Sequence, residues 1–238
     1  MNELKNAISN AVVIIPTLNE ERNVAEVIRK LNSLGFTNIL VVDGNSTDQT
    51  VAVAKKLGVH VIHQNGKGKG DALRQAFNYY GLNGDPIVIM DADGSMNPEE
   101  LSSFIETLKC GADLVKGSRF MRGGYSKDMT LMRRIGNSLF VSLVNLIWAT
   151  HYTDLCYGFA AFKRDAIEKL YPLLKSENFE IEAEIFIKAK ELGLRVVEVP
   201  SVELRRMNGK SNLKAYKDGF LILKTVMNEF VRSNQVVA

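Results

Sequence analysis

The sequence has little cysteine and no long apolar run, and both absences narrow the kind of protein it can be. Cys110 and Cys156 are the only cysteines among 238 residues, and they lack the CxxC spacing of a metal knuckle. Two such thiols also argue against a disulfide framework, so a reducing compartment is expected. No segment reaches the ~20 apolar residues that span a bilayer, and residues 1–10 lack an apolar signal core. We expect a cytoplasmic protein, with attachment to a membrane surface left open.

Charge and histidine content exclude further classes. The net charge of +3 is too small to indicate a nucleic-acid partner. His60, His63 and His151 show no metal-ligand spacing, and we interpret them as structural. Nucleophile motifs such as GxSxG are absent.

Short apolar runs alternate with amphipathic stretches and predict an α/β fold. Strands are predicted at 11–15, 39–42, 59–62, 87–90, 114–116, 159–162 and 196–199. Helices are predicted at 24–34, up to 57, at 69–80 and 139–149, twice more before 196, and in an amphipathic tail from 215 to 231. Continuously apolar strands separated by helices indicate a mostly parallel sheet covered on both faces. With no linker or repeat, residues 1–238 are expected to form a single domain.

Polar clusters at 16–20, 43–48 and 91–95 each follow a predicted strand. Ligands of such sheets bind beyond the carboxyl ends of the strands. Asp91 and Asp93 flank Ala92, and alternation along an extended chain points both carboxylates the same way. A hard cation such as Mg²⁺ or Mn²⁺ binds one or two carboxylates and fills its other sites with diphosphate oxygens and water. The alternative is a polar loop whose aspartates cap the next helix.

Two further clusters fit a nucleotide ligand. Asp43, at the last position of a strand, suggests a hydrogen bond to a base or ribose, whereas capping explains 46–48. Residues 66–70 (GKGKG) open a helix, where backbone N–H groups and two lysines favour an anion. P-loop spacing is absent, and a mobile surface loop is the alternative.

Basic side chains recur in the second half, and a charge run is often only a solvated face. They are Lys116, Arg119, Arg122, Arg133, Arg134, Arg205, Arg206 and Lys210. Arg119, Arg133 and Arg206 each lie near a glycine, and converging guanidinium groups suit a second phosphate, that of an acceptor.

Seven motifs, in order over roughly residues 11 to 215, resemble the family 2 inverting glycosyltransferases of the GT-A fold. The resemblance is greatest to the dolichyl-phosphate mannosyltransferase and polyprenyl-phosphate glucosyltransferase branch. The motifs are 16–20 (PTLNE), 43–48 (DGNSTD), 68–70 (GKG), 91–94 (DADG), 117–120 (GSRF), Asp154 with 158–159, and 206–211 (RMNGKS). The resemblance implies a Rossmann-like sheet, a nucleotide-diphosphate sugar donor, Mg²⁺ or Mn²⁺, and a polyprenyl or dolichyl phosphate acceptor. It divides the domain into a nucleotide-sugar half (about 11–116), an acceptor half (about 117–215) and a C-terminal helix (216–238).

The resemblance also implies roles for single residues. Those expected to bind the nucleotide sugar are Pro16, Leu18, Glu20, Asp43, Lys69, Asp91, Ala92 and Asp93, with Asp91 and Asp93 also binding the metal. Those expected around the phosphates and the acceptor are Arg119, Arg133, Ser138, Glu182, Arg206 and Lys210. The candidate catalytic residues are Asp93, Asp154, Arg119 and Arg206. Ser95 stands where some relatives carry a metal-binding glutamine, and Gly44 replaces the second aspartate of a DDxS pattern.

The acceptor decides whether a general base is needed. A phosphate oxygen is already ionised near neutral pH, so positioning by arginines would suffice. A hydroxyl acceptor would need a base, and Asp154 is the candidate. The apolar helix at 139–149 is expected to be buried or to contact a second copy in a homodimer. Its alternative is contact with a bilayer beside a lipid acceptor.

Two other classes use similar parts. A sugar nucleotidyltransferase would carry a glycine-rich signature after its first strand, but residues 16–20 contain no glycine. A catalytically idle nucleotide-sugar-binding subunit has no need of intact Asp91, Asp93 and Arg206. Glycosyl transfer therefore fits the sequence better than either.

Overall fold

The computed structural model describes residues 2–79 and 83–236, and a β-sheet forms its centre. The strands are Val12–Thr17 (β1), Asn38–Asp43 (β2), His60–His63 (β3), Ile87–Ile89 (β4), Leu114–Ser118 (β5), Tyr125–Ser126 (β6), Ala160–Phe162 (β7), Val196–Pro200 (β8) and Val202–Glu203 (β9). Within the described residues seven strands form one sheet, in the order β3-β2-β1-β4-β7-β5-β8, and β6 pairs with β9. Only β7 runs antiparallel to its neighbours in that sheet. The predicted mostly parallel α/β sheet is confirmed.

Helices surround this sheet. They are Asn2–Asn10 (α1), Val24–Ser33 (α2), Thr50–Lys56 (α3), Lys69–Phe77 (α4), Leu101–Lys109 (α5), Leu131–Trp148 (α6), Arg164–Leu170 (α7), Ile181–Glu191 (α8) and Ala215–Val236 (α9). Short 3₁₀ turns occur at Pro98–Glu100 and Tyr171–Leu173.

The sheet is apolar on both faces because successive side chains of each strand point in opposite directions. In β1, Val12 and Ile14 join a core with α4, α6, α7, α8 and α9. Val13 and Ile15 join a second core with α1, α2, α3 and α5. Strands buried on both faces leave only their ends free for polar chemistry, which places the polar clusters at one edge of the sheet.

Some elements differ from the predictions. Helices α1 and α5 and the β6-β9 pair were not predicted, although four buried residues of α5, Leu101, Phe104, Ile105 and Leu108, have helical spacing. Helix α6 begins eight residues before the predicted start, because the Thr130 side chain caps it by accepting from the Arg133 N–H at 3.3 Å. The predicted end of α4 at Tyr80 lies outside the described residues, as do the last two residues of the predicted C-terminal helix at 216–238.

Helices α6 and α9 carry much of the exposed apolar surface. In the predicted helix at 139–149, Val144 is buried and five apolar side chains pack partly buried against the core, whereas Leu139 and Leu146 are exposed. The expected burial therefore holds for one side of the helix only. Helix α9 packs through Ile222 and Val226. The apolar side chains on which its amphipathic prediction rests are exposed instead, and they are Tyr216, Phe220, Leu223, Met227 and Phe230. We call the exposed residues at the beginnings of the two helices the apolar face, and they are Leu131, Met132, Ile135, Leu139, Tyr216 and Phe220.

Candidate active site

A cavity of about 580 Å³ opens where β1, β2 and β4 end, and it gathers most of the predicted site residues. Those that line it are Pro16, Leu18, Glu20, Lys69, Asp91, Ala92, Asp93, Arg119, Arg133, Glu182 and Arg206. The parallel register that aligns Thr17 with Asp43 brings the first two polar clusters side by side. The cavity therefore lies where ligands of parallel α/β sheets bind.

Four predicted residues do not line this cavity. Asp43 is fully buried and accepts from the Ser46 N–H at 2.9 Å, so it holds the loop whose Gly44 does line the cavity. Ser138 is exposed on α6 and donates to the Arg134 carbonyl of its own helix at 3.0 Å. Lys210 lines a smaller, neighbouring cavity of about 320 Å³. Asp154, the fourth, is fully buried beneath Arg119.

Each of the two candidate metal-binding carboxylates pairs with a basic side chain. The Lys69 ammonium lies 2.6 Å from Asp91 Oδ1, and Arg206 Nη1 lies 3.1 Å from Asp93 Oδ2. The other Asp93 oxygen accepts from the Ser95 N–H at 2.9 Å. The Lys69 and Arg206 side chains therefore neutralise both carboxylates at the point where a bound diphosphate would add negative charge.

Arg206 connects the two sides of the cavity. Its guanidinium contacts Glu20 after β1 as well as Asp93 after β4. Two backbone hydrogen bonds hold the segment that carries Arg206. The Leu204 N–H donates to the Ser95 carbonyl at 2.7 Å, and the Met207 N–H donates to the Asp93 carbonyl at 3.0 Å. Burial raises the pKa of the Glu20 carboxyl, although the hydrogen bond from Asn23 and the pairing with Arg206 oppose the rise.

Lys69 bridges Asp91 and Glu182, which lies 2.8 Å from its ammonium on α8. Burial alone would lower the pKa of the Lys69 ammonium, but the charges of Asp91 and Glu182 outweigh burial and raise it. Burial raises the pKa of the Glu182 carboxyl, and Lys69 opposes that rise. Lys69 and Glu182, both predicted site residues, thus belong with Asp91 to one charged cluster. This cluster joins the predicted nucleotide-sugar half of the chain to the predicted acceptor half.

The glycine-rich segment at 66–70 positions Lys69 by packing. A Cβ on Gly70 would lie 2.4 Å from the Ser176 carbonyl oxygen, and one on Gly68 would lie 2.5 Å from Asn178 Oδ1. The Asp71 N–H already donates to the Glu177 carbonyl at 3.0 Å. The glycines therefore allow a close approach to 176–178, which the anion-loop interpretation did not include.

Arg119 and Asp154 form a buried ion pair behind the cavity. Arg119 Nε and Nη2 donate to the two Asp154 oxygens at 2.7 and 2.9 Å, and the Arg119 N–H donates to Oδ2 at 3.1 Å. Burial opposes ionisation of Asp154, but the Arg119 guanidinium outweighs it and holds the pKa of this carboxyl below its usual value. Such a carboxylate suits holding Arg119 in place better than taking a proton from an acceptor hydroxyl.

Sequence reasoning missed several residues around the cavity. Lys214 and Lys217, near the beginning of α9, line it as well. The signal available in the sequence was a pair of lysines three residues apart that follow closely after Arg206 and Lys210. Asn23 and Asn208 are joined by two hydrogen bonds. Asn23 Nδ2 donates to the Asn208 carbonyl at 3.1 Å, and Asn208 Nδ2 donates to Asn23 Oδ1 at 3.0 Å. That pairing of residues far apart in sequence has no sequence signature.

The carboxylates fit a divalent cation only with help from a ligand. Among the described residues, no three His, Cys, Asp or Glu side chains lie close enough together to hold a metal. Lys69 pairs with Asp91 Oδ1, while Asp91 Oδ2 has no hydrogen-bond partner in the described part of the chain. Two carboxylates plus diphosphate oxygens and water are a donor set that suits Mg²⁺ or Mn²⁺. Asp91 and Asp93 therefore remain the predicted metal ligands. Ser95 donates its backbone N–H to Asp93.

Gly158 offers a direct test of the Lys69 cluster. A Cβ there would lie 2.5 Å from both Lys69 Nζ and Glu182 Oε1, closer than packed atoms approach. We expect Gly158→Ala to lower kcat/KM about 10- to 100-fold, because a slightly misplaced charged group costs about that much, and to destabilise the fold by about 1–3 kcal/mol. Steady-state kinetics and urea unfolding would measure both effects.

Gly136→Ala is the matched control for Gly158→Ala. Gly136 lies in α6, and its added Cβ would meet only Phe140, at 3.9 Å. The control should keep the wild-type stability or gain about 0.5–1 kcal/mol. Equal activity and stability of the two variants would contradict the proposed packing of the cluster.

Comparison with solved structures defines the class. Glucosyl-3-phosphoglycerate synthase from Mycobacterium tuberculosis, solved with Mn²⁺, UDP-glucose and phosphoglyceric acid, has the same fold with a TM-score of 0.75. The alignment covers 96% of this chain and 83% of that one, with 21% identity. The fold is thus that of a GT-A glycosyltransferase.

Sequence comparison then gives the family. The family model for glycosyl transferase family 2 matches residues 12–171, and the chain belongs to that family. It is 33% identical to glycosyltransferase AglJ of Haloferax volcanii over 213 residues, which are 88% of this chain and 68% of the relative. It is 32% identical to polyprenol monophosphomannose synthase of Mycolicibacterium smegmatis over 212 residues, or 85% and 80% of the two chains. The predicted glycosyltransferase activity is confirmed at the level of the family.

Proposed function

We propose that this chain transfers a hexose from a nucleotide-diphosphate sugar to a polyprenyl-type lipid phosphate, with inversion and with Mg²⁺ or Mn²⁺ bound at Asp91 and Asp93. The observation that carries the proposal is one cavity lined by Asp91 and Asp93, by the two basic side chains paired with them, and by further basic residues that form no ion pair within the described part of the chain. Family membership and the named product of the mycobacterial relative support the same reaction class.

The donor side of the proposal follows from position and charge. The strand-end residues Pro16, Leu18 and Gly44 line the cavity and would contact the nucleoside, with buried Asp43 fixing their loop. The diphosphate would lie at Asp91 and Asp93. When bound, the cation neutralises charge that develops on the departing diphosphate. Arg206 and Lys69 add positive charge at the same place, where preorganised groups stabilise the transition state.

The acceptor side of the proposal follows from basic residues on the two outer helices. Arg133 on α6 and Lys217 on α9 line the cavity, and neither has an ion-pair partner among the described residues. A guanidinium and an ammonium that converge on one cavity suit an acceptor phosphate. An ionised phosphate also needs no general base, which agrees with the buried, paired state of Asp154.

The apolar face favours a lipid-linked phosphate. Leu131 and Tyr216 on this face are 74% and 81% exposed, and they lie within two residues of Arg133 and Lys217. Exposed apolar side chains beside cations are typical of surfaces that contact anionic bilayers. No described helix combines the length and the apolar character needed to cross a bilayer. The proposal is therefore peripheral contact, at the cytoplasmic side, that delivers a membrane-held phosphate to the cavity.

A pair of acceptors that differ by one phosphate tests this proposal. Purified protein would be incubated with UDP-, GDP- and dTDP-hexoses and Mn²⁺, and with vesicles containing either a polyprenyl phosphate or the matching polyprenol. We expect transfer to the phosphate and at least about 100-fold less to the alcohol, because positioning alone does not ionise a hydroxyl. The protein should also float with the vesicles.

Equal transfer to the alcohol would contradict the phosphate assignment, and transfer only to soluble acceptors would contradict the lipid. A dimer in sedimentation that fails to float would assign the apolar face to a second copy instead. The screen over three bases would also identify the nucleotide.

A further inference from the structure

The Lys69 ammonium pairs with two carboxylates that line the cavity. It lies 2.6 Å from Asp91 Oδ1 and 2.8 Å from Glu182 Oε1, with its side chain only 7% exposed. The Phe179 ring lies 5.8 Å from the same nitrogen. A positive charge this close to Asp91 competes with a divalent cation for the same carboxylate.

The surroundings of Lys69 allow its ammonium to exchange partners without leaving the cavity. Glu182 on α8 is a second partner of the ammonium, so contact with Asp91 can break while contact with Glu182 remains. Gly158 lets the ammonium lie close to the backbone, because an added Cβ would lie only 2.5 Å from it. Arg206 can exchange partners in the same way, since its contact with Glu20 can remain when its contact with Asp93 breaks.

We propose that Lys69 is an exchangeable counter-ion of Asp91, which weakens metal binding until a nucleoside diphosphate arrives and accepts the ammonium. This inference rests on the proposed function, since it assumes that Asp91 binds the cation. Without a nucleotide, a metal ion at Asp91 would lie beside the Lys69 ammonium, and repulsion between the two positive charges would weaken metal binding. With a nucleotide, a phosphate oxygen replaces Asp91 as the partner of Lys69. Metal and nucleotide therefore bind with positive coupling, and the coupling is reciprocal.

A simpler role for Lys69 makes the opposite prediction. If Lys69 only held Asp91 in the correct position, its loss would weaken Mn²⁺ binding with and without nucleotide. If Lys69 is an exchangeable counter-ion, its loss tightens Mn²⁺ binding without nucleotide and reduces the gain that nucleotide brings. The sign of one measured change thus separates the two roles.

The experiment measures Mn²⁺ dissociation constants by electron paramagnetic resonance of free Mn²⁺, with and without UDP or GDP. Lys69→Met should bind Mn²⁺ without nucleotide at least about tenfold more tightly than wild type, because a competing charge has gone. The factor by which nucleotide tightens Mn²⁺ binding should fall by about tenfold. Lys190→Met is the control, since Lys190 is exposed on α8 outside the lining of this cavity and its loss should change neither value by more than about twofold.

A second variant protects the test against misfolding, because Lys69→Met leaves the buried Glu182 unpaired. Lys69→Met/Glu182→Gln removes both charges and should still bind Mn²⁺ more tightly than wild type without nucleotide. Unchanged or weaker Mn²⁺ binding in both variants, while wild type binds Mn²⁺ with nucleotide, overturns the counter-ion role alone. Absence of Mn²⁺ binding to wild type with either nucleotide overturns this role and the metal assignment of the proposed function together.

Discussion

Replacement of Asp93 by asparagine is expected to lower kcat/KM for hexose transfer by about 10²- to 10³-fold while the protein stays folded. Asparagine keeps the size of the side chain and an oxygen that can accept from the Ser95 N–H, now 2.9 Å away. It loses the negative charge that faces Arg206 and that the proposed cation requires. Chemistry should therefore suffer far more than stability.

Fold retention in Asp93→Asn follows from the second partner of Arg206. Its guanidinium still contacts Glu20, so no buried charge is left alone. Kinetics with the best donor, together with thermal unfolding, would measure both effects. Glu168→Gln, the same kind of change at an exposed position on α7, is the control and should keep wild-type activity. An Asp93→Asn enzyme within about threefold of wild type would remove Asp93 from the reaction.

The second large effect is expected on stability. Asp154→Ala should lower the free energy of unfolding by about 3–5 kcal/mol, because it leaves the buried Arg119 guanidinium without its main partner. Both Asp154 oxygens accept from that guanidinium, at 2.7 and 2.9 Å. Urea unfolding followed by fluorescence of Trp148, the single tryptophan, would measure the loss.

The pH dependence gives this stability prediction its own check. Asp154 has a lowered pKa in the folded protein, so its stabilising contribution is present above the ordinary carboxyl pKa. The contribution is lost as pH falls through the lowered pKa, so the gap between wild type and Asp154→Ala should narrow in acid. Glu168→Ala, at an exposed site, should change stability by less than about 0.5 kcal/mol. A full gap at low pH or a loss equal to that of the control would refute the buried pair.

The structure also changes what a test of Asp154 can show. If Asp154 were the base for a hydroxyl acceptor, Asp154→Asn would be expected to lose activity. Because Asp154 holds Arg119 by three hydrogen bonds, such a loss would equally follow from displacement of Arg119. A comparison of phosphate and alcohol acceptors does not have this ambiguity.

The sheet was predictable because its signals are local. Strands such as β1 and β2 are uninterrupted apolar runs, and each ends in a polar cluster that lines the site or supports it. Asp91 and Asp93 could be placed at the cavity because they closely follow another such strand, β4. The same local logic should have found α5, whose apolar residues recur at helical spacing.

The partners of the site residues could not be predicted, because they are distant in sequence. Lys69 and Glu182 are 113 residues apart, as are Asp93 and Arg206, and no spacing rule links them. For the same reason the sequence presented Asp154 as a base, since its partner Arg119 was not visible. The outward face of α9 was also ambiguous, because an amphipathic pattern does not say which side meets the core.

Removal of metal from the wild-type enzyme is the most direct test of the central claim that Asp91 and Asp93 bind a cation which stabilises the leaving diphosphate. We predict that chelation lowers the rate of hexose transfer at least about 100-fold, and that Mn²⁺ or Mg²⁺ restores it to wild type but not to Asp91→Asn/Asp93→Asn. An undiminished rate in chelator, shared by wild type and that double variant, would contradict the account.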